Sequence, residues 1–156
     1  ELETSEEIHC ICLFPDYEKA EKFDRIIKKS MPSIPVREDI FGQQWYFDEN
    51  GKSQSFEYYD GLSDLQKRKL LVLFKRIGDF GKIHDKTKFN FEGDTIFAFK
   101  PQPDRFLSFF VKDKKIIIAN GFHKKTQKLP FIEKEKAIKY KNDYLKRTSK
   151  GTYYGK

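Results

Sequence analysis

The chain has 156 residues, the size of one ordinary domain and too few for two enzymatic domains of typical length. Aromatic residues make up 16% of the sequence, so a packed core can form although 35% of the residues are charged. Its two cysteines, Cys10 and Cys12, exclude a disulfide framework and a four-cysteine zinc site, and favour the reducing cytoplasm. The longest apolar runs fall far short of the roughly 20 residues that span a bilayer, so we expect no membrane association.

Basic charge is concentrated in the second part of the chain. Lys and Arg total 31 against 24 Asp and Glu, a net charge of +7. Residues 1–43 carry 6 basic and 10 acidic side chains, whereas residues 44–156 carry 25 basic and 14 acidic ones. A basic surface of this size attracts polyanions, which makes RNA, DNA or an acidic protein the expected partner. The alternative is a lysine-coated surface with no binding role.

Residues 1–43 are predicted to form a strand followed by a helix. Residues 8–14 are apolar on both alternating faces, as expected of a buried strand. Apolar side chains then recur at helical spacing from Tyr17 to Ile27, and Pro32 follows the end of that pattern. We expect this segment to be an extension of the main domain.

The central part of the chain begins with a short strand at residues 44–47, followed by a turn at 48–51. A short helix is predicted at residues 55–59. Ser63 and Gln66 form a capping box at the start of the most regular amphipathic helix, which Gly78 and Gly81 end.

The last part of the domain is predicted to contain three β-rich runs and a lysine-rich helix. The runs cover residues 89–99, 106–112 and 115–122, and the last two are joined by a tight hairpin turn. The helix covers residues 133–147, and residues 148–156 are expected to form a flexible tail. This order of elements predicts an α+β fold with helices packed on an antiparallel sheet.

Residues 121–130 carry a distinctive pattern between the last strand and the last helix. They read Gly-Phe-His-Lys-Lys-Thr-Gln-Lys-Leu-Pro. This run resembles the Gly-Phe-x-Lys-Lys-Thr-x-x-x-Pro signature of the RelE/HigB/ParE toxin superfamily, in its phage-derived branch near HigB. The resemblance extends over residues 44–147, which we therefore expect to be the toxin domain.

The resemblance implies a small curved antiparallel sheet with helices on one side. It also implies a toxin of a type II toxin–antitoxin operon that cuts mRNA, usually on the ribosome, with a small helix-turn-helix protein as its antitoxin. The reaction is attack of a ribose 2′-OH on the adjacent phosphate, which needs a base, an acid and cations but no metal or other cofactor.

The resemblance also implies which residues form the active site. Four are candidates for catalysis, namely His123, Lys100, Arg105 and Lys124. His123 is the candidate for proton transfer, because an imidazole titrates near neutral pH. Arg105, placed just ahead of its strand, is the candidate to replace an arginine that many relatives carry where this chain has Ser108. Five further residues are candidates for binding RNA, namely Lys86, Lys88, Lys125, Lys128 and Tyr144.

Two functions remain open at this stage. The first is a ribosome-dependent endoribonuclease, favoured by His123 and the neighbouring lysines. The second is a non-catalytic protein of the same fold, either a gyrase inhibitor like the ParE branch or a phage-derived protein that binds a host factor. For Tyr144, helical spacing makes packing against the sheet the alternative to stacking on a base.

Overall fold

The computed structural model describes residues 42–126 and 128–154. The strand and the helix predicted within residues 1–43, with Cys10 and Cys12, lie outside the described residues. The described elements are β1 Gly42–Trp45, α1 Gln54–Asp60, α2 Asp64–Phe80, β2 Phe89–Phe91, β3 Phe97–Phe99, β4 Asp104–Val111, β5 Lys115–His123 and α3 Phe131–Ser149. The fold is α+β, as the order of patterns predicted.

The sheet is mixed, with strand order β1-β5-β4-β3-β2. Strands β2 to β5 pair antiparallel, as expected for neighbours joined by short turns. Strand β1 instead pairs parallel with β5, with Gly42 opposite Lys115. The turn between β4 and β5 places Asp113 and Lys114 at φ of +67° and +58°, which confirms the predicted hairpin. Residues 89–99, predicted as one run, are two strands separated by a turn at Asp94 and Thr95.

Helix α2 begins after Ser63 and ends at Gly81, as predicted, whereas Gly78, also predicted to end it, lies buried within the helix. The Ser63 hydroxyl accepts a hydrogen bond from the Gln66 backbone N–H at 3.2 Å, and Gly81 ends the helix at a φ of +76°. The reciprocal half of the capping box does not form, because the Gln66 side chain bonds Asp104 instead. Within the described residues, no helix is long and apolar enough to cross a bilayer.

Helices cover both faces of the sheet, whereas the resemblance implied helices on one side. Helices α1 and α2 pack on the first face, whose buried core includes Trp45, Phe74 and Phe106. Helix α3 packs on the second face against Leu107 and Phe109. Both faces of the central strands β4 and β5 are therefore covered, while the edge strand β2 is partly exposed.

The sequence predicted a loose tail from residue 148 onwards, but the described residues of this segment, 148–154, are packed against the domain. Helix α3 continues to Ser149, and Tyr153 is buried. The Tyr153 hydroxyl accepts a hydrogen bond from the Phe47 backbone N–H at 2.9 Å. Residues 150–154 therefore fasten the end of α3 to the chain just after β1.

Candidate active site

The ends of β3 and β4 bring together two predicted catalytic residues on the α3 face of the sheet. Lys100 directly follows β3, and Arg105 is the second residue of β4, opposite Phe122 of β5. Arg105 is thus inside the strand, which corrects its predicted position ahead of it. Side chains alternate along a strand, so Arg105 faces the same side as Leu107, and Lys100 the same side as Ala98.

Lys100, Arg105 and Lys124 line one cavity of about 160 Å³ beyond the start of α3. The other side chains that line it are those of Asn90, Glu92, Ala98 and Leu129. Three of the four residues predicted to be catalytic therefore meet at one place, although they are up to 24 residues apart in the sequence.

Arg105 is a buried cation with neutral hydrogen-bond partners. Only 7% of the residue is exposed, and its Nη1 atom donates to Gln102 Oε1 at 3.0 Å and to the Asp104 carbonyl at 2.9 Å. Burial lowers the pKa of the guanidinium, against the opposing effect of Glu92 and Asp104. An anion that enters the cavity would meet a charge that the protein has already removed from water.

Lys100 lies beside Arg105 and is also largely buried. Its Nζ atom donates to the Lys86 carbonyl at 3.1 Å and lies 3.9 Å from Glu92 Oε2. Burial lowers the pKa of the Lys100 ammonium, and the positive charges of Arg105 and Lys124 lower it further while Glu92 raises it. A lysine with a lowered pKa releases its proton more readily than an exposed one.

A second, more open cavity of about 530 Å³ adjoins the first and shares Arg105 and Lys124 with it. Lys125 and Thr126 line its outer side. The Lys124 backbone N–H donates to the Pro103 carbonyl at 3.1 Å, which ties the loop after β5 to the loop before β4. Lys125, predicted to bind RNA, therefore lines the second cavity and not the first.

His123 is the predicted catalytic residue that the structure does not bring to the cavity. It pairs with Asp104 across β4 and β5, and its Nδ1 atom lies 3.7 Å from Asp104 Oδ1. Asp104 also accepts hydrogen bonds from Tyr58 at 2.5 Å and Gln66 at 2.7 Å, both on the helices of the first face. His123 thus lies on the face opposite to Arg105, because neighbouring residues of a strand alternate.

The predicted RNA-binding residues are divided among several places. Tyr144 is only 3% exposed and packs edge-on against Phe109, so its ring is not available to stack on a base. Lys88 lies with Lys100 at a groove beside α2. Lys86 and Lys128 are exposed at the surface.

The comparison with protein families identifies the domain that holds this cavity. The family model of Phage derived protein Gp49-like (DUF891) matches residues 57–142. The chain belongs to this family. The Gp49-like family is of the RelE/HigB toxin type, and the matched residues include every residue that lines the 160 Å³ cavity. No curated protein matches the chain.

Two polar residues of this Gp49-like site were not predicted from the sequence, namely Asn90 and Glu92. Asn90 is the polar residue between two phenylalanines of β2, and its side-chain amide donates to Glu92 Oε2 at 3.4 Å. The alternation Phe-Asn-Phe indicates that Asn90 faces away from its neighbours, but not what it faces. The sequence does not single out Glu92 as a site residue, because acidic residues are common in turns between strands.

Proposed function

We propose that this Gp49-like protein is the toxin of a type II toxin–antitoxin pair and that it cuts mRNA in the cavity around Arg105. The observation that carries the proposal is the buried guanidinium of Arg105, grouped with Lys100 and Lys124 in one cavity. Three cations that line one small cavity suit the pentacoordinate phosphorane of RNA cleavage, whose negative charge exceeds that of the starting phosphodiester.

The cleavage needs a base for the 2′-OH, and Glu92 is the candidate in this cavity. Among the described residues that line it, Glu92 is the one with a carboxylate. The 2′-oxygen forms a bond to phosphorus as its proton passes to Glu92, and the bond from phosphorus to the 5′-oxygen breaks. The products are a 2′,3′-cyclic phosphate and a 5′-hydroxyl, so no water or metal enters the balance of the first step.

The leaving 5′-oxygen needs a proton, and Lys100 is the candidate donor. Its lowered pKa makes the ammonium a stronger acid than an exposed lysine. Arg105 stays charged throughout and holds the phosphate, a role for which its planar fork of donors is suited. Lys124 adds a third positive charge to the lining of the cavity.

The finer parts of the proposal follow from the resemblance of residues 121–130 to the HigB-like branch. We place the reaction on the translating ribosome, with a helix-turn-helix antitoxin as the partner that blocks it. The basic surface between residues 100 and 150, with 15 basic and 5 acidic side chains, supports an RNA substrate.

The test is to map mRNA ends by primer extension after adding the protein to cell-free translation, with and without ribosomes. We expect new ends with the wild-type protein, none with Arg105→Ala, and wild-type cleavage with Lys139→Ala, which removes an exposed charge of α3. Ends that appear only with ribosomes support the proposal in full. Intact mRNA, together with toxicity in cells, would contradict the endoribonuclease and favour a gyrase inhibitor or host-factor binder.

A further inference from the structure

A groove of about 250 Å³ lies between α2 and the loop that joins β3 to β4. Its basic side chains come from both walls, namely Arg68, Lys69, Arg76, Lys88 and Lys100. The remaining lining residues are Leu65, Val72, Leu73, Pro101 and Gln102. The groove is thus lined by five basic residues, four apolar residues and Gln102.

No acidic side chain is among the described residues that line the groove. Asp85, in the loop after α2, is an acidic neighbour of Lys88, and its carboxylate accepts two hydrogen bonds from Thr87. The Lys69 ammonium donates to the Gln102 carbonyl at 3.3 Å, which links the two walls. The charge balance therefore favours an anionic occupant.

The groove shares lining residues with the cavities of the candidate active site. Lys100 lines both the groove and the 160 Å³ cavity, and Gln102 lines both the groove and the larger cavity beside it. A chain with regularly spaced phosphates could therefore contact Arg105 and the groove at the same time. Its sugars and bases would lie on Leu65, which is exposed, and on Val72, while its phosphates would meet Arg76 and Lys88.

We propose that this groove binds the single-stranded RNA next to the phosphate that is cut. The inference rests on the proposed function, because it takes the same RNA as the occupant of both places. An acidic protein segment would also suit the charges, but Lys100, which lines both the groove and the Arg105 cavity, favours RNA. Of the residues predicted to bind RNA, the groove accounts for Lys88 and adds Arg76 and Lys69, which the sequence did not single out.

The test measures the binding of a fluorescent single-stranded RNA of about ten nucleotides, a length typical of such sites. Every ribose carries a 2′-O-methyl group, so that binding is measured without cleavage. The groove variant is Arg76→Ala with Lys88→Ala, and the matched control is Lys139→Ala with Lys146→Ala on α3, which removes the same charge from another exposed surface. Arg105→Ala tests the cavity in the same assay.

We expect the groove variant to bind the RNA about tenfold more weakly than the α3 control. We expect a similar loss of affinity for Arg105→Ala. The slope of log Kd against log salt should fall by about 0.7 for each phosphate that the variant no longer neutralises. Unchanged binding by the groove variant, with weaker binding by Arg105→Ala, would overturn the groove and leave the proposed function standing. If the wild-type protein binds this RNA no better than Arg105→Ala does, both proposals fail, and an acidic protein becomes the occupant to test.

Discussion

Arg105 and His123 lie close to each other in the sheet, but their side chains are on opposite faces of it. Arg105 is opposite Phe122, and the neighbouring pair is Asp104 with His123. Asp104 and His123 therefore face α1 and α2, where Tyr58 and Gln66 bond the carboxylate. The buried positive charge of Arg105 lies on the other face with Lys100. At the scale of single residues, this separation makes the cavity, rather than His123, the candidate for the chemistry.

The lowered pKa of Lys100 predicts how cleavage depends on pH. If the ammonium donates the proton to the 5′-oxygen, cleavage slows as pH rises through its pKa, which burial places below the ordinary value for lysine. In Lys100→Arg the charge persists at high pH, but the guanidinium is a poor proton donor. We therefore expect a lower maximal rate and an alkaline fall in activity that is shifted to higher pH or absent.

The measurement is the single-turnover cleavage rate of one transcript across neutral to alkaline pH. Lys139→Arg, the same change on an exposed face of α3, serves as the control and should keep the wild-type profile. If the cleavage rates of wild type and Lys100→Arg fall in the same way as the pH is raised, Lys100 is not the acid that titrates.

At the scale of elements, the pairing of β4 with β5 determines what the Gly-Phe-His part of the sequence motif does. Gly121 lies opposite Phe106, on the same face as His123. A Cβ atom at position 121 would lie 2.6 Å from Phe106 Cε2 and 3.0 Å from Tyr58 Cδ2. Phe106 is fully buried, so it has no free space into which to move. The glycine of the motif is thus required for packing.

Gly121→Ala should lower the stability of the protein by about 1–3 kcal/mol, because it overpacks a filled core. The midpoint of thermal unfolding should fall by several degrees, followed by circular dichroism. Gly61→Ala is the matched control, because its Cβ would lie 3.7 Å from the nearest atoms, an ordinary contact. Equal midpoints for the two variants would contradict the packing role of Gly121.

The elements could be predicted from the sequence more fully than the site. Ser63, Gly81 and the turn at residues 112–115 act through local geometry, so the pattern alone located α2 and the β4–β5 hairpin. The parallel pairing of β1 with β5 depends on contacts between distant segments, which no local pattern encodes. The faces of Arg105 and His123 depend on how far β4 extends, and the prediction started that strand two residues too late.

At the scale of the whole molecule, the end of the chain holds α3 and β1 together. Arg147 of α3 bonds Asp143 and the Phe47 carbonyl, and its guanidinium lies 4.6 Å from the centre of the Tyr153 ring. Burial alone would raise the pKa of Asp143, but hydrogen bonds from Arg147 and Tyr46 hold it below its usual range. The sequence predicted a loose tail here because residues 148–156 carry little apolar pattern. Two tyrosines anchor it instead: Tyr153 accepts from the Phe47 N–H, and the Tyr154 hydroxyl hydrogen-bonds Gln44 and Tyr144.

Tyr153→Phe should destabilise the protein by about 1–3 kcal/mol, because the buried Phe47 N–H loses its acceptor. Tyr140→Phe is a suitable control, since that ring stacks on Tyr46 and its hydroxyl makes no hydrogen bond with a described residue. Chemical denaturation should show a lower midpoint for Tyr153→Phe alone. If both variants match the wild type, the chain end does not stabilise the fold.

Acidic pH should weaken the contacts that Asp143 makes with Arg147 and Tyr46. The pKa of Asp143 is lowered in the folded state, so its contribution to stability is present above the pKa of the unfolded chain and is lost as pH falls through the lowered value. Asp143→Asn should therefore be less stable than wild type near neutral pH, and the difference should shrink in acid. Urea denaturation at each pH measures the free energy of unfolding of both proteins. If wild type and Asp143→Asn differ in stability by the same amount at pH 7 and in strong acid, this linkage is contradicted.

The central claim is that RNA is cut in the Arg105 cavity and not at His123 on the other face. It is tested most directly by comparing the cleavage rates of Glu92→Gln and His123→Gln on one transcript, with thermal unfolding confirming that both are folded. We expect Glu92→Gln to be slower than wild type by about 10²-fold or more, as for the loss of a general base, and His123→Gln to be little changed. A large loss in His123→Gln with little change in Glu92→Gln would contradict the account and return the chemistry to the face that holds Asp104 and His123.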